Sequence, residues 1–100
     1  MILFSSKQTI NPEKSIQRKD TTLFSEIDHE IVLMSIENSE YYGLNQIGSH
    51  IWQLIEKPLS FNELISILMN EYDVTREQCM EDTLSFLETL AEKSLILVKA

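Results

Sequence analysis

Cys79, His29 and His50 are the side chains with which this 100-residue chain could perform nucleophilic catalysis or bind a soft metal ion. Such catalysis needs a nucleophile, a base and an orienting group within hydrogen-bond reach, and no local motif brings these three together. Cys79 falls within a helical apolar pattern, which predicts a buried packing residue. His29 falls in a predicted turn and His50 on the flank of a predicted helix, so nothing pairs them as metal ligands. We therefore expect a protein that is not an enzyme and holds no metal or cofactor.

The predicted last helix carries acidic side chains, one of which is placed for recognition. They are Glu77, Glu81, Asp82, Glu88 and Glu92. Most of them lie opposite the apolar face of the helix, as is typical of a solvated surface. Asp82 instead borders that face, next to Cys79 and Phe86. A carboxylate there can accept a hydrogen bond from a peptide N–H or pair with Lys or Arg, so Asp82 indicates peptide binding, with a solvated carboxylate as the alternative.

The charge balance argues against a nucleic-acid partner. The chain has 8 Lys and Arg residues against 16 Asp and Glu residues, a net charge of −8. A protein that neutralises phosphates needs the opposite sign. The basic cluster Lys14, Arg18 and Lys19 lies ahead of the compact part of the chain and is typical of a solvated tail.

Length and composition indicate one cytoplasmic domain. One hundred residues suffice for a single core without disulfides or metal. Cys79 is the only cysteine, so no intramolecular disulfide can form, which favours a reducing compartment. The apolar run Met1 to Phe4 is too short for a signal peptide or a membrane span. We expect a cytoplasmic location and no membrane partner.

The first twenty residues mix polar side chains with scattered apolar ones and contain an Asn11-Pro12 turn signal. This pattern predicts a flexible N-terminal arm over residues 1–20, with one extra strand near residues 6–10. The single folded domain is then expected over residues 21–100.

Three strands are predicted after the arm. Alternation begins at Thr21 and runs to Ile27, and residues 30–37 are apolar on both faces, which predicts a central strand. Asp28-His29 and Asn38-Ser39 are short turn signals, and residues 40–44 form the third strand. Such short connections predict an antiparallel meander with the third strand at an edge.

Three helices follow the strands. Asn45 caps the first, whose apolar face includes Ile47 and which Pro58 ends near residue 56. A capping box opens the second helix at Ser60, and the same logic at Thr75 opens the third. The fold class is therefore α+β, a winged helix-turn-helix with a three-stranded antiparallel sheet followed by three helices. The apolar tail 95–98 either returns to the sheet or covers the helix ends.

The third helix has more apolar surface than packing on one layer requires. Its apolar residues cover an arc of about 160°, against about 100° for an ordinary amphipathic helix. They are Phe86, Cys79, Leu90, Thr83, Leu87, Met80, Ala91 and Leu84. An edge strand beside a surplus apolar surface predicts a docking place for an extended peptide that adds a strand to the sheet.

The candidate peptide-binding residues come from the edge strand and the third helix. The strand residues are Tyr41, Tyr42, Gly43 and Leu44, and the helix residues are Cys79, Asp82, Thr83 and Phe86. The two tyrosines point to opposite faces of the strand. The floor of the groove is either Val32 and Met34 or Ile31 and Leu33, depending on which face of the sheet is turned to the peptide.

An ordered set of residues between 41 and 95 resembles the PqqD-like family. The set is Tyr41-Tyr42-Gly43-Leu44-Asn45, Gly48, Ile51-Trp52, Leu54-Ile55, the helix starting at Ser60, Asp82, Phe86-Leu87, Leu90-Ala91 and Leu95. Members are recognition elements of RiPP biosynthesis, which hold the leader segment of a ribosomally made precursor peptide for modifying enzymes. The resemblance implies that a leader adds to the third strand and packs against the third helix. A domain without a fused enzyme looks most like the leader-binding proteins of split lasso-peptide systems, with a leader peptidase or other modifying enzyme as partner.

Three positions depart from the family pattern, which often has Gly where this chain has His29, Ser39 and Ser94. All three concern backbone geometry at the ends of elements rather than the groove.

Two other functions are alternatives to leader binding. A DNA-binding winged-helix regulator would place its third helix in the major groove, but this helix exposes mainly Glu, with Arg76 alone near its start. A partner-binding subunit of another enzyme has no distinguishing composition. The open edge also allows a monomer or a dimer formed by edge pairing or swapping.

Overall fold

The structure, a computed structural model, describes residues 13–99. The strands are β1 (Ser15–Arg18), β2 (Leu23–Ile27), β3 (Glu30–Ser35), β4 (Glu40–Gly43), β5 (Leu59–Ser60) and β6 (Ile96–Lys99). The helices are α1 (Gln46–Leu54), α2 (Phe61–Glu71) and α3 (Arg76–Glu92). The α+β class and the order of three strands before three helices are confirmed. The extra strand predicted near residues 6–10 lies outside the described residues.

The strands form two antiparallel sheets of three strands each. The order β2-β3-β4 is the predicted meander, with β3 central and β4 at an edge. The β2–β3 turn is the predicted two-residue one, in which Asp28 and His29 both have positive φ, 52° and 69°. The second turn was predicted too short, because β3 ends at Ser35. The Ser35 hydroxyl accepts a hydrogen bond from the Asn38 N–H over 3.0 Å, which closes a four-residue loop before β4.

The second sheet, in the order β5-β1-β6, joins segments that the sequence did not pair. Strand β1 pairs with β6 over Ser15–Arg18 and with β5 through Ser15 and Ile16. Ile16 is fully buried in the core. The folded part therefore begins before residue 21, where the sequence placed the boundary with the arm. The tail 95–98 returns to a sheet, but to this second one.

The helix starts follow the predicted caps with one difference. Asn45 Oδ1 accepts from the Gly48 N–H, and the Ser60 hydroxyl and the Glu63 carboxylate form the reciprocal capping box. Thr75 Oγ1 accepts from the Gln78 N–H, but the Gln78 side chain does not reach back. It donates to Asp82 Oδ1 over 2.8 Å instead, one turn further along α3. The second box is thus half formed.

Helix α3 ends in a Schellman motif. The Leu95 N–H donates to the Leu90 carbonyl and the Ser94 N–H to the Ala91 carbonyl. Ser94 has φ 61°, and Ser39 has φ 55°. With His29, these are the three positions at which the family often has Gly. Each adopts the left-handed backbone that favours glycine, so the departures cost backbone strain rather than contacts.

Ser49 joins helix α1 to the first sheet. Its hydroxyl accepts a hydrogen bond from the Ile31 N–H over 2.8 Å and donates to the Leu44 carbonyl over 3.2 Å. The Leu44 N–H in turn donates to the Ile31 carbonyl. The buried hydroxyl therefore continues the β3–β4 ladder at the point where the chain leaves β4 for the helix.

The core lies between the helices and one face of each sheet. Trp52 is fully buried, with its ring 6.0 Å from that of Phe24 in an edge-to-face arrangement. Arg18 donates to the Trp52 carbonyl and lies over the Phe24 ring, which links β1 to β2. The basic cluster predicted in the tail is thus partly structural.

Replacement of Ser49 should destabilise the fold. In Ser49→Ala the Ile31 N–H and the Leu44 carbonyl lose a buried partner, so the free energy of unfolding should fall by about 1–3 kcal/mol. Urea denaturation measures the change. Ser85→Ala, at an exposed position of α3, is the control and should change stability by less than about 0.5 kcal/mol. Equal urea midpoints for Ser49→Ala and the native chain would contradict this role.

Replacement of Ser94 by glycine should stabilise the fold. Ser94→Gly relieves a positive φ of 61°, and the free energy of unfolding should rise by about 0.5–1 kcal/mol. Ser85→Gly, the same change within a helix, should lower it by about 0.5 kcal/mol. If Ser94→Gly also lowers the free energy of unfolding, the contacts of the Ser94 side chain stabilise the fold by more than its backbone strain destabilises it.

Candidate functional site

Strand β4 has one partner strand, β3, in the part of the chain that the structure describes, so its other edge is open. The Leu44 N–H donates to the Ile31 carbonyl, and Tyr42 lies in the same phase of the antiparallel ladder. Backbone groups along such a strand point alternately to its two sides. Those of Tyr42 therefore point to β3, and the N–H and C=O groups of Tyr41 and Gly43 point to the open edge. Such an edge can pair with an added strand.

Helix α3 lies beside β4 on the face of the sheet that the helices cover. At the C-terminal end of the helix, Asn38 Nδ2 donates to the Lys93 carbonyl over 3.1 Å. The Lys93 ammonium group lies 4.9 Å from the centre of the Tyr42 ring, and the Tyr42 hydroxyl donates to Glu40. These contacts join β4 and the loop before it to the C-terminal end of α3.

A cleft separates α1 from α3 beyond the end of β4. Its first cavity, of about 230 Å³, is lined by Asn45, Ile47, Gly48, Ile51, Asp82, Thr83 and Phe86. Its second cavity, of about 260 Å³, is lined by Ile47, Leu68, Tyr72, Asp73, Val74, Cys79, Asp82 and Thr83. Three residues belong to both, so the two cavities adjoin. We call them together the α1–α3 cleft.

A shallower depression lies at the end of the sheet where the chain leaves β4 for α1. It has a volume of about 490 Å³ and is lined by Ile27, Asp28, Glu30, Ile31, Val32, Gly43, Leu44 and Asn45. Asn45 belongs both to this depression and to the first cavity of the cleft. The C-terminal end of β4 therefore adjoins the first cavity of the cleft.

Asp82 occupies the border between the two cavities. It is exposed, and its Oδ1 accepts from Gln78 Nε2, which fixes the orientation of the carboxylate. Within residues 13–99 no cation is paired with it, so the other oxygen can accept a hydrogen bond from a ligand. The border position predicted for Asp82 is confirmed, and its role stays a prediction.

Gly48 allows α3 to approach α1 closely at the first cavity. A Cβ atom on Gly48 would lie 3.2 Å from two ring atoms of Phe86 and from Asn45 Oδ1. The absence of a side chain therefore sets the depth of this cavity. Phe86 itself is half-buried and forms the wall opposite α1.

The structure separates the candidate residues into three groups. Cys79, Asp82, Thr83 and Phe86 all line the α1–α3 cleft, with Cys79 and Thr83 buried in its wall. Tyr42 and Gly43 lie on β4, at the side of α3 and at the open edge respectively. Tyr41 and Leu44 are placed differently.

The side chains of Tyr41 and Leu44 do not face the cleft. Tyr41 is 71% exposed and pairs in register with Met34, on the face of the sheet turned away from the helices. Leu44 is buried in the core. The backbone of Tyr41 points to the open edge, so Tyr41 stays a candidate through its main chain. Leu44 follows β4, and both of its backbone groups are already bonded, to Ile31 and Ser49, so the structure does not place it at the edge.

The structure places the two alternatives for the floor of the groove on opposite faces of the sheet, and which pair a peptide meets stays a prediction. Ile31 and Leu33 are buried on the face that the helices cover. Val32 and Met34 lie on the opposite face with Tyr41. The face beside the cleft is therefore the one that carries Ile31 and Leu33, and both are covered by the protein itself.

Ile47 and Tyr72 are among the cleft residues that the sequence did not identify as candidates. Ile47 was assigned to the core face of the first helix but is 46% exposed and lines both cavities. Tyr72 is oriented by His50, whose Nδ1 lies 3.0 Å from the Tyr72 hydroxyl while its Nε2 lies 3.6 Å from a Glu71 carboxylate oxygen. An aromatic residue at the end of α2 was a possible sign of the cleft in the sequence, but the direction of its side chain depends on how the helices pack.

A model of the family described as coenzyme PQQ synthesis protein D (PqqD) matches residues 30–96. The chain belongs to the PqqD family. The matched PqqD segment contains β3, the open strand β4 and all three helices, that is, nearly every element that forms the edge and the cleft. It leaves out β1 and β2.

Two solved structures resemble this PqqD-family chain over most of its length. One is TbiB1 in complex with the TbiA(beta) leader peptide, with 34% identity, a TM-score of 0.73, and coverage of 80% of this chain and 93% of that one. The other is a lasso peptide synthetase B1 complexed with the leader peptide, with 23% identity and a TM-score of 0.71, covering 82% and 96%. The second likeness concerns the fold alone. No curated protein sequence matches the chain.

Two other features concern metal ions and membranes. Among the described residues there is no group of three or more His, Cys, Asp or Glu side chains placed to hold a metal ion. None of the helices in residues 13–99 is long and apolar enough to cross a membrane.

Proposed function

We propose that this chain binds the leader segment of a ribosomally made precursor peptide, as the recognition element of a lasso-peptide type pathway. The leader adds as a strand to β4 and extends into the α1–α3 cleft, and the chain presents it to a leader peptidase and other modifying enzymes. The open edge of β4, whose C-terminal end adjoins the cleft, carries the proposal. The leader complex of a relative with 34% identity supports it.

Hydrogen bonds between the backbone of β4 and the leader are not enough by themselves for stable leader binding. Tyr41 and Gly43 each offer one N–H and one C=O to the edge, which makes four hydrogen bonds. At about 1 kcal/mol net for each, these contribute about 4 kcal/mol, which is no more than the loss of translational and rotational freedom costs on association. The leader must therefore bury side chains as well.

The cleft provides the place for this burial. Its walls are mainly apolar, and each of its two cavities has the volume for one aliphatic or aromatic side chain. Full burial of such a side chain contributes about 1.5–3 kcal/mol. Two of them bring the favourable sum to about 7–10 kcal/mol, which can exceed the cost of association. We infer that the backbone of β4 sets the register of the leader and that the cleft selects its sequence.

The proposed role requires neither catalysis nor a cofactor. Cys79 is buried in the wall of the cleft, where it acts as an apolar packing residue. A precursor peptide made on ribosomes is available in the cytoplasm, and the lone cysteine suits a reducing compartment. We therefore propose the cytoplasm as the location of the chain.

DNA binding has no support from the site. The exposed positions of α3 are mainly acidic, and the net charge of the chain is −8. The counterion release that drives association with DNA needs clustered cations, which this helix does not offer.

Proline at Gly43 should disrupt leader binding without disrupting the sheet. Gly43→Pro removes an N–H that points away from β3, and an edge strand tolerates proline. The lost bond and the unpaired leader carbonyl should weaken binding of the leader encoded beside this gene by at least about tenfold in calorimetry.

The matched control is Gly43→Ala, which keeps the N–H. A Cβ atom at this position has nothing within 4 Å, so its leader affinity should stay within about threefold of that of the native chain. Equal affinities for the proline and alanine variants would mean that the Gly43 N–H pairs with no leader atom.

Removal of the Asp82 carboxylate should also weaken binding. Asp82→Ala leaves a leader N–H or cation without its acceptor, at a cost of about 1–3 kcal/mol in binding free energy. Glu81→Ala, on the exposed face of the same helix, should change the affinity by less than about 0.5 kcal/mol. Unchanged leader affinity in a folded Asp82→Ala would assign this carboxylate to the solvated surface.

A further inference from the structure

The face of the first sheet that is turned away from the helices is apolar and uncovered in the described part of the chain. Its apolar side chains are Leu23, Ile27, Val32, Met34 and Tyr41. Ile27 is 58% exposed and Leu23 is 49% exposed. A solvated face of an antiparallel sheet ordinarily alternates to polar residues. We call these five residues the outer face.

The segment that carries the outer face is acidic, with one cation at its end. Between residues 23 and 43 there is no Lys or Arg; Asp28, Glu30 and Glu37 lie at the turns or on the outer side, whereas Glu26 and Glu40 pair with Ile31 and Ser35 on the covered face. Lys19 lines a pocket with Met34 at one end of the outer face. Two copies packed through this face would bring their acidic rims together, which is unfavourable. The rim instead complements a surface that is apolar at its centre and has Lys and Arg around it.

The outer face is continuous with the proposed leader site. The side chain of Tyr41 belongs to the face, while its backbone N–H and C=O point to the open edge of β4. A protein docked on this face would therefore lie directly beside an added strand. It would not cover the α1–α3 cleft, which lies on the other side of the sheet.

We propose that the outer face docks the enzyme that acts on the bound precursor, through an apolar surface with a basic rim. This inference rests on the proposed function, because an enzyme docked on the outer face lies beside its substrate only if a leader is bound to β4. One sheet then has two separate binding tasks: the edge takes the leader and the outer face takes the enzyme.

The first test removes the apolar contacts. The probe is the purified leader peptidase encoded beside this gene, titrated against the full chain with the leader bound. Leu23→Ser/Ile27→Ser should weaken peptidase binding at least about tenfold, because exposed apolar anchors at an interface carry most of its energy. The leader affinity of this variant should stay within about twofold. Leu97→Ser, an equally mild change on β6, should alter neither affinity.

The second test reverses the charge of the rim. Glu30→Lys/Glu37→Lys should weaken peptidase binding about fivefold at low salt, and the difference should shrink at high salt. Glu77→Lys/Glu81→Lys makes the same change in net charge on exposed positions of α3 and should have little effect on this affinity.

Three results would overturn the inference. The first is unchanged peptidase affinity in both outer-face variants. The second is a native chain that sediments as a dimer and becomes monomeric in Leu23→Ser/Ile27→Ser, since the occupant is then a second copy. The third is a native chain that binds the leader but not the peptidase. Leader recognition, the first part of the proposed function, would then still stand. Failure of the native chain to bind the leader would remove the proposed function and, with it, this inference.

Discussion

The hydroxyl of Ser49 sets how the first sheet meets the helices, and the candidate site depends on that junction. By bonding both the Ile31 N–H and the Leu44 carbonyl, it continues the β3–β4 ladder and anchors α1 at the same point. The phase of that ladder directs the backbone groups of Tyr41 and Gly43 to the open edge. The position of α1 places Gly48 against Phe86, which forms the cleft that adjoins the end of β4.

The three-stranded sheet has a different task on each of its surfaces. The face that carries Ile31 and Leu33 is buried under the helices and stabilises the fold. The edge of β4 keeps unpaired backbone groups beside an apolar cleft, an arrangement that suits an extended peptide of variable sequence. The outer face keeps apolar side chains inside an acidic rim. Because β-strand geometry alternates in both side chains and backbone groups, one short strand can take part in all three.

The sequence predicted those features of the fold and the site that depend on local patterns. The central place of β3, the caps at Asn45 and Ser60 and the border position of Asp82 follow from alternation, capping chemistry and helical spacing. The second sheet was missed because its short strands pair across large sequence separations, and the energy of such pairing is not visible in any one segment. Ile47 was misassigned because the packing of α1 against α3, rather than the spacing within α1, decides which apolar side chains line the cleft.

Amide hydrogen exchange along β4, measured with and without the leader, tests strand addition most directly. The amides of Tyr42 and Leu44 already bond to β3, whereas those of Tyr41 and Gly43 point to the open edge. Binding of the leader should therefore slow exchange at Tyr41 and Gly43 by at least about tenfold and change it much less at Tyr42 and Leu44. If the leader binds tightly and leaves exchange at Tyr41 and Gly43 unchanged, the edge of β4 is not where it binds.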